Sequence, residues 1–281
     1  MRNLQIKITF TIFLCLYNLL LFGQQNVVGI IQDAETGEHI PFVNIGILER
    51  EKGTVSDASG KFLISIPSEF TNDSIRISAI GYKTQTFIIG DFIRSIQQDS
   101  VITLNKDVVV LNAVIVTPKN LKVKVLGNTK QSRIMRGGFR NAELGNEIGL
   151  KIKIKKSPTY ITAFHSNITS NTGQKLKFRL NFYSIEKGLP AEKLINQNII
   201  FQIDSQEGDF TLDLTQYNII VEEDFFLTME LIENAGNKES ELFFSAGLFG
   251  KGTVTRLTSQ AEWKKLGGIG IGFNVTSEYQ K

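Results

Sequence analysis

Between residues 26 and 117 apolar and polar residues alternate in short runs. Val43, Ile45 and Ile47 share one side of the run Ile40 to Leu48. Phe62, Ile64 and Ile66 alternate with polar neighbours until Pro67. Ile75, Ile77 and Ala79 alternate with Arg76 and Ser78. A period of two marks strands with one buried face. Val27 to Ile31, Lys83 to Ile89, Val101 to Leu104 and Val108 to Val116 complete a set of seven. Turn residues separate them. In Asp57-Ala58-Ser59-Gly60 the Asp stands first and the Gly fourth, as a type I turn prefers. Helical periodicity is nearly absent. Seven short strands with regular turns predict an antiparallel sandwich.

A second set of strand-like runs fills residues 149 to 281. Lys151 to Lys155, Thr159 to Phe164, Lys175 to Ile185, Asn198 to Ile203 and Asp209 to Leu214 come first. Phe225 to Leu231, Leu242 to Phe244, Thr253 to Arg256 and Ile269 to Asn274 follow. The strictest alternation is Lys175-Leu176-Lys177-Phe178-Arg179-Leu180-Asn181-Phe182. Gly188-Leu189-Pro190 and Asn234-Ala235-Gly236-Asn237 read as turns. Many short strands in this length suit a sandwich or jelly roll. The expected class is therefore all-β, a first sandwich at 26–117 and a second at 149–281.

Charge divides the chain further. Residues 119–156 hold eleven Lys or Arg and two Glu, interrupted by glycines. We expect residues 118–148 to be a basic linker. Residues 186–241 hold thirteen Asp or Glu and three Lys. Either the two regions dock on each other, or one of them faces an outside partner. Nucleic acid is a poor partner: the net charge is only +3, and no aromatics interleave the basic residues.

The N-terminus reads as an export signal over residues 1–23. Arg2 and Lys7 precede a mostly apolar stretch from Ile8 to Phe22, and Gly23 offers the small residue at a cleavage point. The stretch matches a signal core of ~7–15 residues rather than a span of about 20. No later segment reaches spanning length, so no transmembrane segment is expected in the mature chain. The expected location is the periplasm, the outer membrane or the cell surface.

Candidate chemistry is sparse. Cys15, the one cysteine, falls inside the expected signal. His39 and His165 are the only histidines, and neither stands in an HxxE or HExxH context. Metal and cofactor sites are therefore not expected. No GxSxG elbow occurs. Gly267-Gly268-Ile269-Gly270-Ile271-Gly272 lacks the strand–loop–helix setting of a nucleotide loop and reads as relief of crowding in a terminal strand. Glu222-Glu223-Asp224 and Asp204 with Asp209 supply oxygens for Ca²⁺ but no loop signature. Trp263, the only tryptophan, joins Tyr160 and Tyr183 as a candidate sugar-stacking platform; packing is the plainer use of such rings.

The segments VVGIIQDAETGEHIPFVNIGI, GTVSDASGKFLISIP and IRISAIGYKTQTFII resemble the carboxypeptidase-like regulatory domain. The resemblance implies a prealbumin-like sandwich of the kind common in exported proteins of Bacteroidetes-type bacteria. Gly37 and Gly60 then suit turns, and Gly81-Tyr82 a strand corner with a wet hydroxyl. In metallocarboxypeptidases the module accompanies a zinc-binding catalytic domain, for which this chain has no ligand set. The module also precedes TonB-dependent receptors, and Leu111 to Thr117 resembles the link to their plug. The 164 residues after Thr117 are too few for a barrel of about 22 strands, each ~9–11 residues long. The C-terminal part resembles uncharacterised partner domains of such proteins and has the general look of carbohydrate-binding jelly rolls. These readings imply a non-catalytic exported envelope protein that binds or scaffolds. Its partner would be a glycan or an envelope protein, with a TonB-dependent uptake system as one setting. The alternative is a glycan hydrolase with an acidic pair in the C-terminal sandwich.

Overall fold

The structure is a computed structural model. It describes residues 23–107, 120–132, 134–141, 143–172, 175–234, 240–248 and 252–280. The signal expected at 1–23, apart from Gly23, and the strand expected at Val108 to Val116 lie outside the described residues.

The first sandwich is built from β1 (Gln24–Asp33), β2 (Asn44–Ile47), β3 (Gly53–Val55), β4 (Lys61–Pro67), β5 (Ser74–Ser78), β6 (Gln85–Ile88), helix α1 (Ile89–Gln98) and β7 (Val101–Leu104). One sheet has the order β4-β1-β7 and the other β3-β2-β5-β6. The alternating apolar positions face inward. Ile31, Ile45, Ile47, Ile64, Ile75 and Ile77 are all buried in one core. The expected turn at Asp57 is present: Gly60 N–H donates to Asp57 C=O (3.0 Å), with Gly60 at φ +75°.

Three expectations for this domain need correction. Its sheets are not purely antiparallel, because β7 runs parallel to β1. A crossover through α1 makes that possible. The helix itself contradicts the expected absence of helix. Ile89, Phe92 and Ile96 fall on its buried side, and Phe92 lies 6.4 Å from the Phe62 ring. Its N-cap is Ile88, with no capping hydrogen bond, so no start signal was there to read. The Tyr82 hydroxyl is not simply wet: it donates to the Asp33 carboxylate (3.1 Å).

The second sandwich begins with β8 (Leu121–Gly127), β9 (Arg136–Phe139), β10 (Glu147–Ile152), β11 (Thr159–Asn171) and β12 (Leu176–Glu186). It continues with β13 (Leu189–Lys193), β14 (Ile199–Ile203), β15 (Gly208–Asp213), β16 (Ile219–Val221) and β17 (Phe225–Glu233). It ends with β18 (Leu242–Leu248), β19 (Thr253–Arg256), β20 (Lys264–Leu266), β21 (Ile269–Ile271) and β22 (Asn274–Gln280). One sheet runs β13-β12-β17-β10-β19-β20, with β14 on β12. The other runs β21-β18-β11-β22-β8, with β15 and β16 on β11 and β9 on β18. Phenylalanines dominate the core between them. Phe164 meets Phe273 edge-on at 5.3 Å, and Phe139 lies 5.1 Å from Phe178.

The expected linker at 118–148 is therefore largely folded. β8 pairs with β22, and β9 pairs with β18. Lysines at Lys122 and Lys124 sit on an edge strand, where they discourage further pairing. The glycines of β9 serve contact rather than flexibility: a Cβ on Gly138 would lie 2.0 Å from the Leu242 carbonyl. The glycine run at 267–272 likewise spans a connection from β20 in one sheet to β21 in the other, not one strand. The basic and acidic regions do meet, through Arg140–Glu241 (3.2 Å) and Lys151–Asp224 (3.1 Å).

Candidate functional site

The outer face of the β12 sheet carries the densest polar cluster among the described residues. Cross-strand register aligns Arg179 on β12 with Glu230 on β17, Glu230 with Glu147 on β10, and Glu147 with Arg256 on β19. Four adjacent strands thus present a row of charges in the order plus, minus, minus, plus. Like charges directly opposite each other are normally unfavourable. Here Asn181 lies between the carboxylates, its Nδ2 donating to Glu147 Oε1 (2.8 Å) and to Glu230 Oε2 (3.0 Å).

The outer arginines complete the pairing. Arg256 donates to Glu147 Oε2 through Nε (2.9 Å) and Nη2 (2.6 Å). Arg179 Nη1 donates to Glu230 Oε2 (3.2 Å). The Tyr183 hydroxyl donates to Glu147 Oε2 (3.4 Å) and accepts from Arg256 (2.9 Å). Thr228 donates to Glu147 Oε1. Gly149 makes room for that contact, since a Cβ there would lie 2.6 Å from the Thr228 side chain.

Both carboxylates are fully buried. Burial pushes the Glu230 carboxyl up, but Arg179, Lys193 and Arg256 outweigh it and hold its pKa below the ordinary value. Burial likewise opposes the Arg256 charge, and Glu147 reverses the balance so that its pKa is raised. The Tyr183 phenol is driven well above its usual range by burial and by the Glu147 charge. Lys193 is an exposed residue whose ammonium lies 6.0 Å from the Tyr183 ring centre, and desolvation lowers its pKa to about 8.

The first sandwich meets the Arg179 end of this row, and Trp263 packs at the Arg256 end. Arg179 Nη2 donates to the Phe42 carbonyl, and its Nη1 lies 3.5 Å from Asn44 Oδ1. Asn44 and Gly46 lie on the side of β2 away from its own core, facing the second domain. Gly46 admits the loop after β19, because a Cβ there would lie 2.8 Å from Gln260. Glu49 N–H donates to the Gln260 carbonyl (3.1 Å), and Lys264 pairs with Glu51. Phe42, Val55 and Ile232 form a small apolar cluster across the same joint.

Beside the joint lies an open cleft of about 670 Å³. β3 and β4 line one side, and Glu143, Leu144, Ile232, Glu233 and Asn234 of the second domain line the other. The volume falls within the ~300–1,000 Å³ typical of ligand sites.

The three aromatics proposed as a platform do not come together. Tyr183 and Trp263 meet edge-to-face at 5.7 Å, and the Arg256 guanidinium lies 4.4 Å from the Trp263 ring centre. Tyr183 is buried, so its ring offers no face to a sugar. Tyr160 sits on β11, in the other sheet. Gly23 is exposed just before β1. His165 is held by Thr211 (2.9 Å) and Thr276 (2.7 Å), and partial burial lowers its pKa. Among the described residues no three His, Cys, Asp or Glu side chains are grouped to hold a metal, and no helix is long and apolar enough to cross a membrane. The charge row was missed because its members sit on alternating strands, where a polar side chain reads as solvent-facing. The one available signal was density: Arg179, Asn181 and Tyr183 recur at the same parity of β12.

Solved structures similar to this chain are distant. They include the cysteine protease and lectin-like domains of Cwp84, a surface layer associated protein of Clostridium difficile. There the identity is 6%, the TM-score 0.37, and the match covers 52% of this chain and 36% of that one. A substituted form of the clostridial cysteine protease Cwp84 after propeptide cleavage gives 8% identity and a TM-score of 0.41, covering 92% and 72%. The infectious bursal disease virus Gx strain gives 11% and 0.29, covering 90% and 64%. Likeness this low transfers no function. No curated protein matches the chain. The family model of the CarboxypepD_reg-like domain matches residues 27–116, the span that opens with β1 and includes both sheets of the first sandwich. The first sandwich of this chain is similar to the CarboxypepD_reg-like domain.

Proposed function

We propose that the chain is a non-catalytic binding or scaffolding module of the cell envelope, exported by the signal-like segment that precedes Gln24. One observation carries this reading. The buried row of two carboxylates and two arginines is engaged mainly with itself, next to the joint between the two sandwiches. A general acid or base must come within hydrogen-bond reach of a substrate atom. Both oxygens of Glu147 are occupied by protein donors, and Glu230 is fully buried, its Oε2 accepting from Arg179 and Asn181. That arrangement suits a joint that fixes two domains. The regulatory-like domain and the open cleft beside it then supply the binding surface, for a glycan or an envelope protein.

The test is direct. The chain from Gln24 onward is applied to a glycan array and to immobilised envelope proteins, and soluble glycans are incubated with it and assayed for cleavage. Binding without turnover is the expected result. Turnover that disappears in Glu147→Gln or Glu230→Gln would establish the hydrolase reading instead. Fractionation of expressing cells should find the protein outside the cytoplasm with Gln24 at or near its N-terminus.

A further inference from the structure

The cleft is bordered by two sheet edges that belong to different sheets. β4 ends the three-stranded sheet and β3 ends the four-stranded sheet. Register decides which backbone groups face the opening. Ile31 N–H donates to Gly60 C=O, and β4 continues antiparallel with Phe62 opposite Gly29 and Ile64 opposite Val27. Bonded and open positions alternate in such a pair. Phe62 and Ile64 therefore bond to β1, while Lys61, Leu63 and Ser65 turn their N–H and C=O away from it. The Asp57 turn takes up Lys61: Asp57 N–H donates to its carbonyl (2.8 Å), and the Asp57 carboxylate accepts its N–H (3.0 Å). Among the described residues Leu63 and Ser65 remain, on the edge of β4 away from β1 and lining the cleft.

Sheet edges are normally blunted by charge, proline, a bulge or a cover. β4 has Lys61 at one end and Pro67 at the other, and between them no charge or proline, nor a strand paired on that edge among the described residues. Leu63 and its cross-strand neighbour Val28 are 57% and 60% exposed, an apolar pair on the outer face. Val55 of β3 and, from the second domain, Leu144 and Ile232 pack into one apolar cluster that also lines the cleft. Five consecutive residues of β4 line the cleft, about 17 Å of strand at ~3.4 Å per residue. The sole aromatic lining it is Phe62, whose ring is buried in the first core, so the cleft offers no face on which a sugar could stack.

We propose that this cleft receives an extended peptide segment of a partner protein, added as a fourth strand beside β4. The proposal rests on the binding-module reading and names its partner class. Main-chain bonds to Leu63 and Ser65 supply sequence-independent affinity, and alternating side chains supply selectivity. Residues of one parity extend the Val28–Leu63 patch, so they are apolar. Residues of the other parity reach the Val55–Ile232 cluster, with the exposed Glu143 carboxylate at the far wall favouring a basic residue there.

The probe is a displayed library of random twelve-residue peptides, panned on the chain from Gln24 onward. Enriched peptides should alternate apolar residues. Leu63→Pro, which removes an N–H that β1 does not use, should weaken them at least tenfold. Leu63→Lys, which keeps the backbone and charges the edge, should weaken them similarly and serves if the proline variant misfolds. Val123→Lys, on the distant β8 edge, should leave binding unchanged. Bound peptide should slow hydrogen exchange at Leu63 and Ser65. Binders that ignore both Leu63 variants, or protection elsewhere, overturn the proposal. A library without binders also overturns it. Glycan or envelope-protein binding in the same preparation would then leave the broader reading standing, and its absence would remove both.

Discussion

β4 and β12 show the same alternation and put it to opposite use. In β4 the residues Lys61, Leu63 and Ser65 point away from the core and stay exposed. In β12 the equivalent set, Arg179, Asn181 and Tyr183, is as buried as the core itself, with Arg179 only 2% exposed. A period of two states that a strand has two faces. It does not state that the polar face is wet. What differs is the environment: the β4 edge opens on a cleft, whereas the β12 face lies beneath a second sandwich. A buried polar face has to be internally satisfied, because an unpaired buried charge is costly. The row Arg179–Glu230–Glu147–Arg256 meets that demand in charge, with zero net charge, while among the described residues Glu230 Oε1 and Arg179 Nε are left without a hydrogen bond.

The strongest way to break the contrast is Glu147→Leu. It would leave Arg256 without its carboxylate and strand the Asn181 and Thr228 donors. Removing one partner of a buried ion pair costs about 3–5 kcal/mol, so denaturant unfolding should show a loss of that order. A loss below about 0.5 kcal/mol would be the behaviour of a surface position and would mean that the face is hydrated in solution.

Arg179→Met comes next. Glu230 would keep Asn181 and the nearby Arg256 and Lys193 charges, so the expected cost is about 1.5–3 kcal/mol, the range for hydrogen bonds to charged groups. Its signature is qualitative. Arg179 is the side chain that reaches from the charge row to the Phe42 carbonyl, so calorimetry should resolve one transition for the unaltered chain and two for the variant. A single, merely lowered transition would place the coupling in Gln260 and the Phe42 cluster instead.

A smaller effect sharpens the contrast from within the first sandwich. Asp33 is a buried carboxylate whose pKa is lowered to about 2. The Glu35 backbone N–H is the main cause, with Thr36, Tyr82 and Lys106 adding to it against burial. A carboxyl with a depressed native pKa stabilises fully above its unfolded value near 3.8 and loses that contribution as pH falls towards 2. Asp33→Asn should flatten the pH dependence of stability between about 4 and 2 and leave its slope at neutral pH unchanged. Thermal melts across that range check it.

Much of this was legible in the sequence. Isoleucine alternation in β2, β4 and β5 identified the first core, and Asp57 to Gly60 identified its turn. Helix α1 escaped because it starts on Ile88 without a cap and follows directly from β6. β3 is three residues long, too short to display a period. β8 and β9 escaped because lysines and glycines, which signal a linker in one dimension, here guard an edge and allow a close approach. The charge row escaped for a deeper reason. Arg179, Glu230, Glu147 and Arg256 are neighbours only through strand register across β12, β17, β10 and β19. Which face a second domain covers depends on contacts made more than a hundred residues apart, such as Arg179 with Phe42.

The smallest expected effect lies on β4. Leu63→Lys removes no core packing, because the side chain projects into solvent, and its backbone bonds lie on the side away from β1. Surface substitutions of this kind change stability by about 0.5 kcal/mol or less. Urea midpoints of the variant and the parent chain should therefore coincide. The comparison with β12 gives that null result its meaning. The two strands share a sequence pattern, so coincident midpoints for Leu63→Lys beside the loss for Arg179→Met would show that burial of the polar face, not strand alternation, carries the stability. A destabilised Leu63→Lys would mean that the β4 edge is already covered within the chain. A cleft filled in that way would have no unpaired strand edge left to offer a partner.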